Sequence, residues 1–344
     1  MKIEKKVIDE IKRCYSTNEM EVGKENYFFF ASEDPNVKAS LYKESKLDDE
    51  MELWKDAGGC MSLIPFRHNE FLAVQEFYLK VTPSLSKLVW GKYEEDKGWE
   101  IKDLFHLPYL HRFDILNQSG KMYLLCATIA DSKENKEDWS KSGKIYGAKL
   151  PENLEDEIEL EVLVDGVFRN HGYSRGISDG KECGYFTSDQ GVIQILAPEE
   201  NSKKWVVNKI ADGAISEAVF IDLDGDGVEE MMTIEPFHGN QIKIYKNKNG
   251  RYECDYIYPH KIDFAHALVA DTILGKPSFI AGIRREDAEL VVIQKIGNEY
   301  KEILIDKQGG PANLKVVHRD GYDLILAANH TRNEAAVYRI SEEE

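Results

Sequence analysis

Apolar residues in this chain alternate with polar ones over short runs, roughly five to eight residues long, and Gly, Asp and Asn turns cut those runs apart. Helical periodicity is almost absent beyond the first dozen residues. The pattern therefore predicts β-strands joined by tight polar hairpins. Its clearest unit is residues 214–259, with strands expected at 216–222, 230–235, 241–246 and 251–257. Turns link these in order, which makes a four-stranded antiparallel meander.

The same layout recurs along the chain. Inner strands are expected to begin near residues 60, 111, 171, 216, 266 and 313, about 45–60 residues apart, and that is the period of a propeller blade. Dividing 344 residues by seven gives about 49 per unit. The expected fold is all-β: one seven-bladed β-propeller of four-stranded antiparallel blades. Blades are expected at approximately 11–57, 58–105, 108–165, 168–211, 213–259, 263–306 and 310–340. Six blades plus a cap is the competing count. Residues 3–10 are free to supply the missing outer strand of the last blade, which would close the ring and remove two sheet edges. The same segment also permits an amphipathic N-terminal helix.

A propeller brings the starts of its inner strands and the ends of its second strands to one rim. His111, His171 and His266 stand at starts of inner strands; His238 and His330 follow second strands. Five histidines on one rim point to a site at the channel mouth, although any one of them taken alone reads as a satisfied structural residue. Neutral imidazole suits zinc or manganese, and His171, His238 and His266 are the expected transition-metal ligands. His111, His171 and Tyr173 are the candidate catalytic groups. Glu76, Arg175, Arg284, Asn329 and His330 are the candidate substrate contacts. The insert DSKENKEDWSKSG in blade three is either a lid over the channel or a solvated loop, and its charge favours the loop.

A second ion signal lies in DLDGDGVEE. Asp222, Asp224, Asp226, the Val228 carbonyl and Glu230 offer hard oxygens around a glycine-bent loop, as structural calcium requires. An EF-hand is excluded, because the position that would need Glu is Thr233. The alternative is an unliganded Asp-Gly hairpin.

Charge narrows the partners. With 62 acidic and 44 basic residues the net charge is -18, which disfavours nucleic acid and anionic membranes. Five scattered cysteines argue against a disulfide framework, and the charged start has no apolar leader; both suit a cytoplasmic protein.

The acidic loop between two strands resembles FG-GAP/VCBS propeller repeats. RNHGYSRG, the acidic loop followed by EPFHGN, and FAHALVAD resemble the propeller of aldos-2-ulose (anhydrofructose) dehydratases, although no cupin-like second domain follows. That resemblance implies a metal-dependent lyase acting on a keto sugar or uronate by β-elimination, with His171, His238 and His266 near metal or substrate. The competing expectation is a non-catalytic carbohydrate-binding or protein-interaction propeller.

Overall fold

In the computed structural model, which describes every residue except Val81, Asn201 and Glu344, twenty-eight strands form seven four-stranded sheets. Each sheet is an antiparallel meander, and the seven together make a β-propeller. Blade five, the unit clearest in the sequence, runs Glu217–Ile221, Glu230–Glu235, Gln241–Lys248 and Arg251–Ile257. The only helical turn among the described residues is the short 3-10 segment Pro83–Leu85, so nothing helical is long and apolar enough to cross a membrane. The five cysteines are unpaired; four are buried and Cys254 is exposed.

Blade seven is built from both ends of the chain. Pro311–Arg319, Tyr322–Asn329 and Glu334–Ser341 supply its inner three strands, and Lys2–Glu10 is its outer one. The N-terminal segment pairs antiparallel with Glu334–Ser341, with Ile3 opposite Ile340 and Val7 opposite Ala336. It is therefore the closing strand; the helix that its sequence also permits does not form. Ile3 packs on the cluster around Ile340, and Lys5 reaches Asp306 at 2.8 Å and Glu334 at 2.7 Å. A main-chain ladder wins over local helix preference because the Glu334–Ser341 edge would otherwise be left unpaired.

The apolar core lies between blades, where the faces of neighbouring sheets meet. Across the closing seam, Leu326 and Val337 of blade seven pack with Phe28 and Phe30 of blade one. Arg319 fastens the same seam on the far rim, donating from Nε to Glu44 at 2.8 Å and pairing also with Glu19. Polar residues bind other seams. Tyr173 donates its hydroxyl to Asp114 at 2.6 Å, and Arg175 forks onto the same carboxylate, with Nε 2.9 Å from Oδ2.

Candidate functional site

The inner strands share a device at their starts. In blades one, three, six and seven the ladder slips by one residue, between Cys14 and Ser16, Leu110 and Arg112, Ala265 and Ala267, and Pro311 and Asn313. The skipped residues are Tyr15, His111, His266 and Ala312. Blade four does the same in the loop just before its first strand: His171 donates its N–H to the Thr187 carbonyl, and Thr187 donates back to the carbonyl of Gly172. A bulge of this kind turns one side chain out of the alternation and re-aims it. Here it aims at the channel.

Tyr15, His111, His171 and His266 consequently converge on a cavity of about 280 Å³, which Phe77, Trp139, Phe237, His238, Phe264, Arg284 and His330 also line. His111, His171 and His266 are buried, with 3%, 1% and 2% of their surface exposed. His111 presents Nδ1 to the carbonyl of His171 at 3.1 Å, and His266 presents Nδ1 to the carbonyl of Ala312 at 2.8 Å. A carbonyl can only accept, so both rings carry their proton on Nδ1 and turn a bare Nε2 inward. Burial, reinforced by the neighbouring guanidiniums of Arg112 and Arg284, holds all of these rings well below the usual histidine range and keeps them neutral.

His171 faces the next blade. Glu217 Oε1 lies 2.7 Å from its Nδ1 and 3.7 Å from Arg112 Nη2, while Ser216 Oγ is 3.5 Å from the same ring nitrogen. Neither approach to Glu217 Oε1 is a well-aligned hydrogen bond, so that buried oxygen lacks a partner. Burial pushes the Glu217 carboxyl up to about 8, against the pull of Arg112. Gly172 permits the approach: a Cβ there would stand 2.4 Å from the Ser216 carbonyl and 2.5 Å from Glu217 Oε2.

His238 enters from the loop after Glu230–Glu235. Its Nε2 is 2.9 Å from His171 Nε2, and its ring is stacked between Phe237 and Phe264, 4.0 and 4.4 Å away. His238 and Phe264 both hold left-handed backbone, at φ 47° and 56°. For residues with a full side chain this conformation costs about 1–3 kcal/mol each, and such strain gathers at functional sites.

The rim of the cavity is cationic. Arg284 is largely buried, lies 4.7 Å over the Phe264 ring, and has no carboxylate partner among the described residues. It donates instead to His330 Nδ1 at 2.8 Å; His330 in turn passes Nε2–H to Glu33 at 2.7 Å. Arg13 completes the group by pairing with Glu33 and with Asp34. Burial lowers Arg284 to about 10. The blade-three insert also reaches the mouth. Trp139 packs edge-on against Phe237 at 5.0 Å and lies under the Lys133 ammonium. Most of that insert is exposed, as its charge leads one to expect, and Trp139 is the residue of it that lines the cavity.

The expected site residues thus divide. His111, His171, His238, His266, His330 and Arg284 come together. Tyr173 and Arg175 do not; they clamp Asp114 between blades three and four. Asn329 is fully buried within blade seven against Tyr338, and Glu76 pairs with Lys87 at 2.9 Å, outside the cavity. Tyr15, Phe237, Phe264 and Glu217 were not among the candidates, since a search for histidines and strand-end polar groups passes over them.

The acidic loop lies between the first two strands of blade five, on the opposite rim. Asp222, Asp224 and Asp226 cluster there. Asp224 is held by Lys246 and by Lys295 at 3.2 Å, and Asp222 accepts the N–H groups of Gly225 and Gly227. Glu230 turns inward to the Leu223 N–H, and Val228 is exposed.

No family model matches the sequence, and no curated protein matches it. Solved structures do match in fold. The β-propeller domain of Cps50 (Swd1) from Myceliophteria thermophila aligns with a TM-score of 0.58 at 10% identity, over 95% of this chain and 100% of that one. The Dos1 propeller gives 0.58 at 6% identity, over 92% and 76%. Sqt1 of Saccharomyces cerevisiae gives 0.54 at 10% identity, over 92% and 81%. At such identities the likeness is one of fold. These matches give no support to the FG-GAP/VCBS resemblance or to the sugar-dehydratase resemblance. The metal-dependent sugar lyase and its small carbohydrate substrate are set aside, and the geometry concurs by removing Tyr173 and Arg175 from the mouth.

Proposed function

We propose that this chain is a protein-interaction propeller that receives an acidic segment of a partner at its channel mouth. One observation carries the reading: Arg284, a buried cation on an aromatic floor, has its fork directed at a histidine and, among the described residues, no carboxylate paired with it. A carboxylate entering the cavity would gain a charge-assisted pair in a partly dry setting. The volume of about 280 Å³ suits one or two side chains rather than a whole ligand of drug size. Trp139, Phe237, Phe264 and Arg284 are the residue types that anchor protein interfaces. The fold supports the same role, because propellers commonly serve as interaction platforms.

Selection of a random-peptide library on the purified protein tests this. The expected result is an enriched set sharing an Asp or Glu beside apolar residues, whose binding falls at least tenfold in Arg284→Met. No enrichment, or enriched peptides that bind Arg284→Met as well as the parent, would overturn it.

A further inference from the structure

The channel mouth carries a second feature, independent of any partner. His171, His238 and His266 each offer a ring nitrogen, and these atoms all lie within 4.8 Å of one another. The outer nitrogen of His266 is already engaged in the way that orients a metal ligand, and that of His171 has a carboxyl group beside it that is not yet aligned for a hydrogen bond. His266 Nδ1 faces the Ala312 carbonyl at 2.8 Å, and His171 Nδ1 faces the Glu217 carboxyl at 2.7 Å. A carboxylate or carbonyl behind an imidazole fixes its tautomer, directs its free lone pair and raises its basicity toward an ion.

Without an ion the inner arrangement is only partly satisfied, since the His171–His238 contact is a single hydrogen bond between two neutral rings. His171 Nε2 and His238 Nε2 approach to 2.9 Å, His266 Nε2 faces the same space with only Tyr15 Oη at 3.4 Å, and Glu217 holds a buried oxygen with no aligned donor. His238 is brought there by a strained left-handed backbone. Tetrahedral zinc, with bonds of about 2.0–2.1 Å, asks its nitrogens to stand roughly 3.3 Å apart, so small rotations from the observed spacing suffice.

We propose that His171, His238 and His266 bind one divalent first-row transition ion, zinc before manganese, with the Glu217 carboxyl group behind His171. All-imidazole donors select zinc over manganese, which prefers oxygen. Arg112 and Arg284 oppose a cation here, and Glu217 Oε1 lies 3.7 Å from Arg112 Nη2. Three protein ligands leave a fourth position open toward the channel, beside Tyr15. Nothing in the argument needs a reaction: the site is a binding centre.

The test uses the whole chain, stripped with a strong chelator, dialysed and titrated with cobalt(II) and with zinc. One equivalent is expected per chain, cobalt giving the visible d–d absorption of a four-coordinate site, and zinc displacing it. His238→Gln should lose that equivalent while keeping the parental circular dichroism, and Glu217→Gln should weaken zinc by about 10–100-fold. If His238→Gln folds poorly, the parent still decides, because zinc must shift the imidazole nitrogen resonances of three histidines. No stoichiometric cobalt, no such shift, or a centre that survives His238→Gln intact would overturn the assignment.

Discussion

His266 gives its Nδ1–H to the carbonyl of Ala312, 2.8 Å away, and Ala312 holds in blade seven the place that His266 holds in blade six. His111 makes the same gesture to His171, its counterpart in the next blade. Ring histidines thus bond around the channel, blade to blade, leaving Nε2 inward. Neutral histidine exposed to water favours the proton on Nε2, so the geometry makes a specific prediction. Long-range proton–nitrogen spectra of the metal-free chain should show His111 and His266 protonated on Nδ1 and bare on Nε2. Protons found on Nε2 would mean that the carbonyl bonds are absent.

Tyr173 stands two residues from His171 in sequence yet serves a seam. Its hydroxyl donates to the buried carboxylate of Asp114 at 2.6 Å. A hydrogen bond to a charged acceptor contributes about 1.5–3 kcal/mol. Tyr173→Phe should lower unfolding stability in urea by that amount and leave peptide and cobalt binding at the mouth unchanged. Intact stability with impaired binding would return Tyr173 to the site.

The closing strand makes a third case. Removing residues 1–10 strips the ladder from Glu334–Ser341, frees Asp306 and Glu334 from Lys5, and takes the Asp9 acceptor from Tyr42, which donates to it at 2.6 Å. A bare edge pairs with any available strand. The truncated chain should self-associate beyond the parent on gel filtration with light scattering, and a peptide of residues 1–12 added in excess should restore the parent's profile. A truncated chain that behaves as the parent does would show that Lys2–Glu10 only decorates the ring.

Architecture was legible because period-2 alternation and hairpin turns are local, and they repeat. The inner-strand starts expected near 111, 171, 216 and 266 fall close to the observed starts at Leu110, Tyr173, Glu217 and Asp263. Closure by residues 3–10 followed from counting strands. Side-chain direction was less legible. A bulge at His171–Gly172 resets the alternation, so Tyr173 and Arg175 turn to Asp114 while His171 turns inward. No residue type marks that bulge beyond Gly172, whose need becomes visible only when Ser216 and Glu217 are packed against it. Tyr15 was hidden for another reason. It occupies the histidine position of blade one, but as a tyrosine it escapes a search for imidazoles. Trp139 was masked by charge: DSKENKEDWSKSG reads as solvated, and one aromatic in it decides the packing.

On the far rim, His318 bridges blades six and seven, with Nδ1 2.7 Å from Asp323 and Nε2 3.0 Å from Asp271. Hydrogen bonding to Asp323, then to Asp271, raises its pKa above the ordinary 6.5. A group whose folded value lies above its unfolded value stabilises the fold fully below the unfolded one and loses that contribution as pH rises through the folded one. The bridge should therefore be strongest below about pH 6.5 and fade in the alkaline range. His318→Gln keeps one hydrogen bond and removes the charge. Its urea midpoint should fall below the parent's near pH 6, and the two should converge near pH 9. The ring is half-exposed, so solvent screening keeps the gap small, and high salt should shrink it further. A gap that stays constant across that range would mean that His318 acts here as a packed side chain rather than as a cation between two carboxylates.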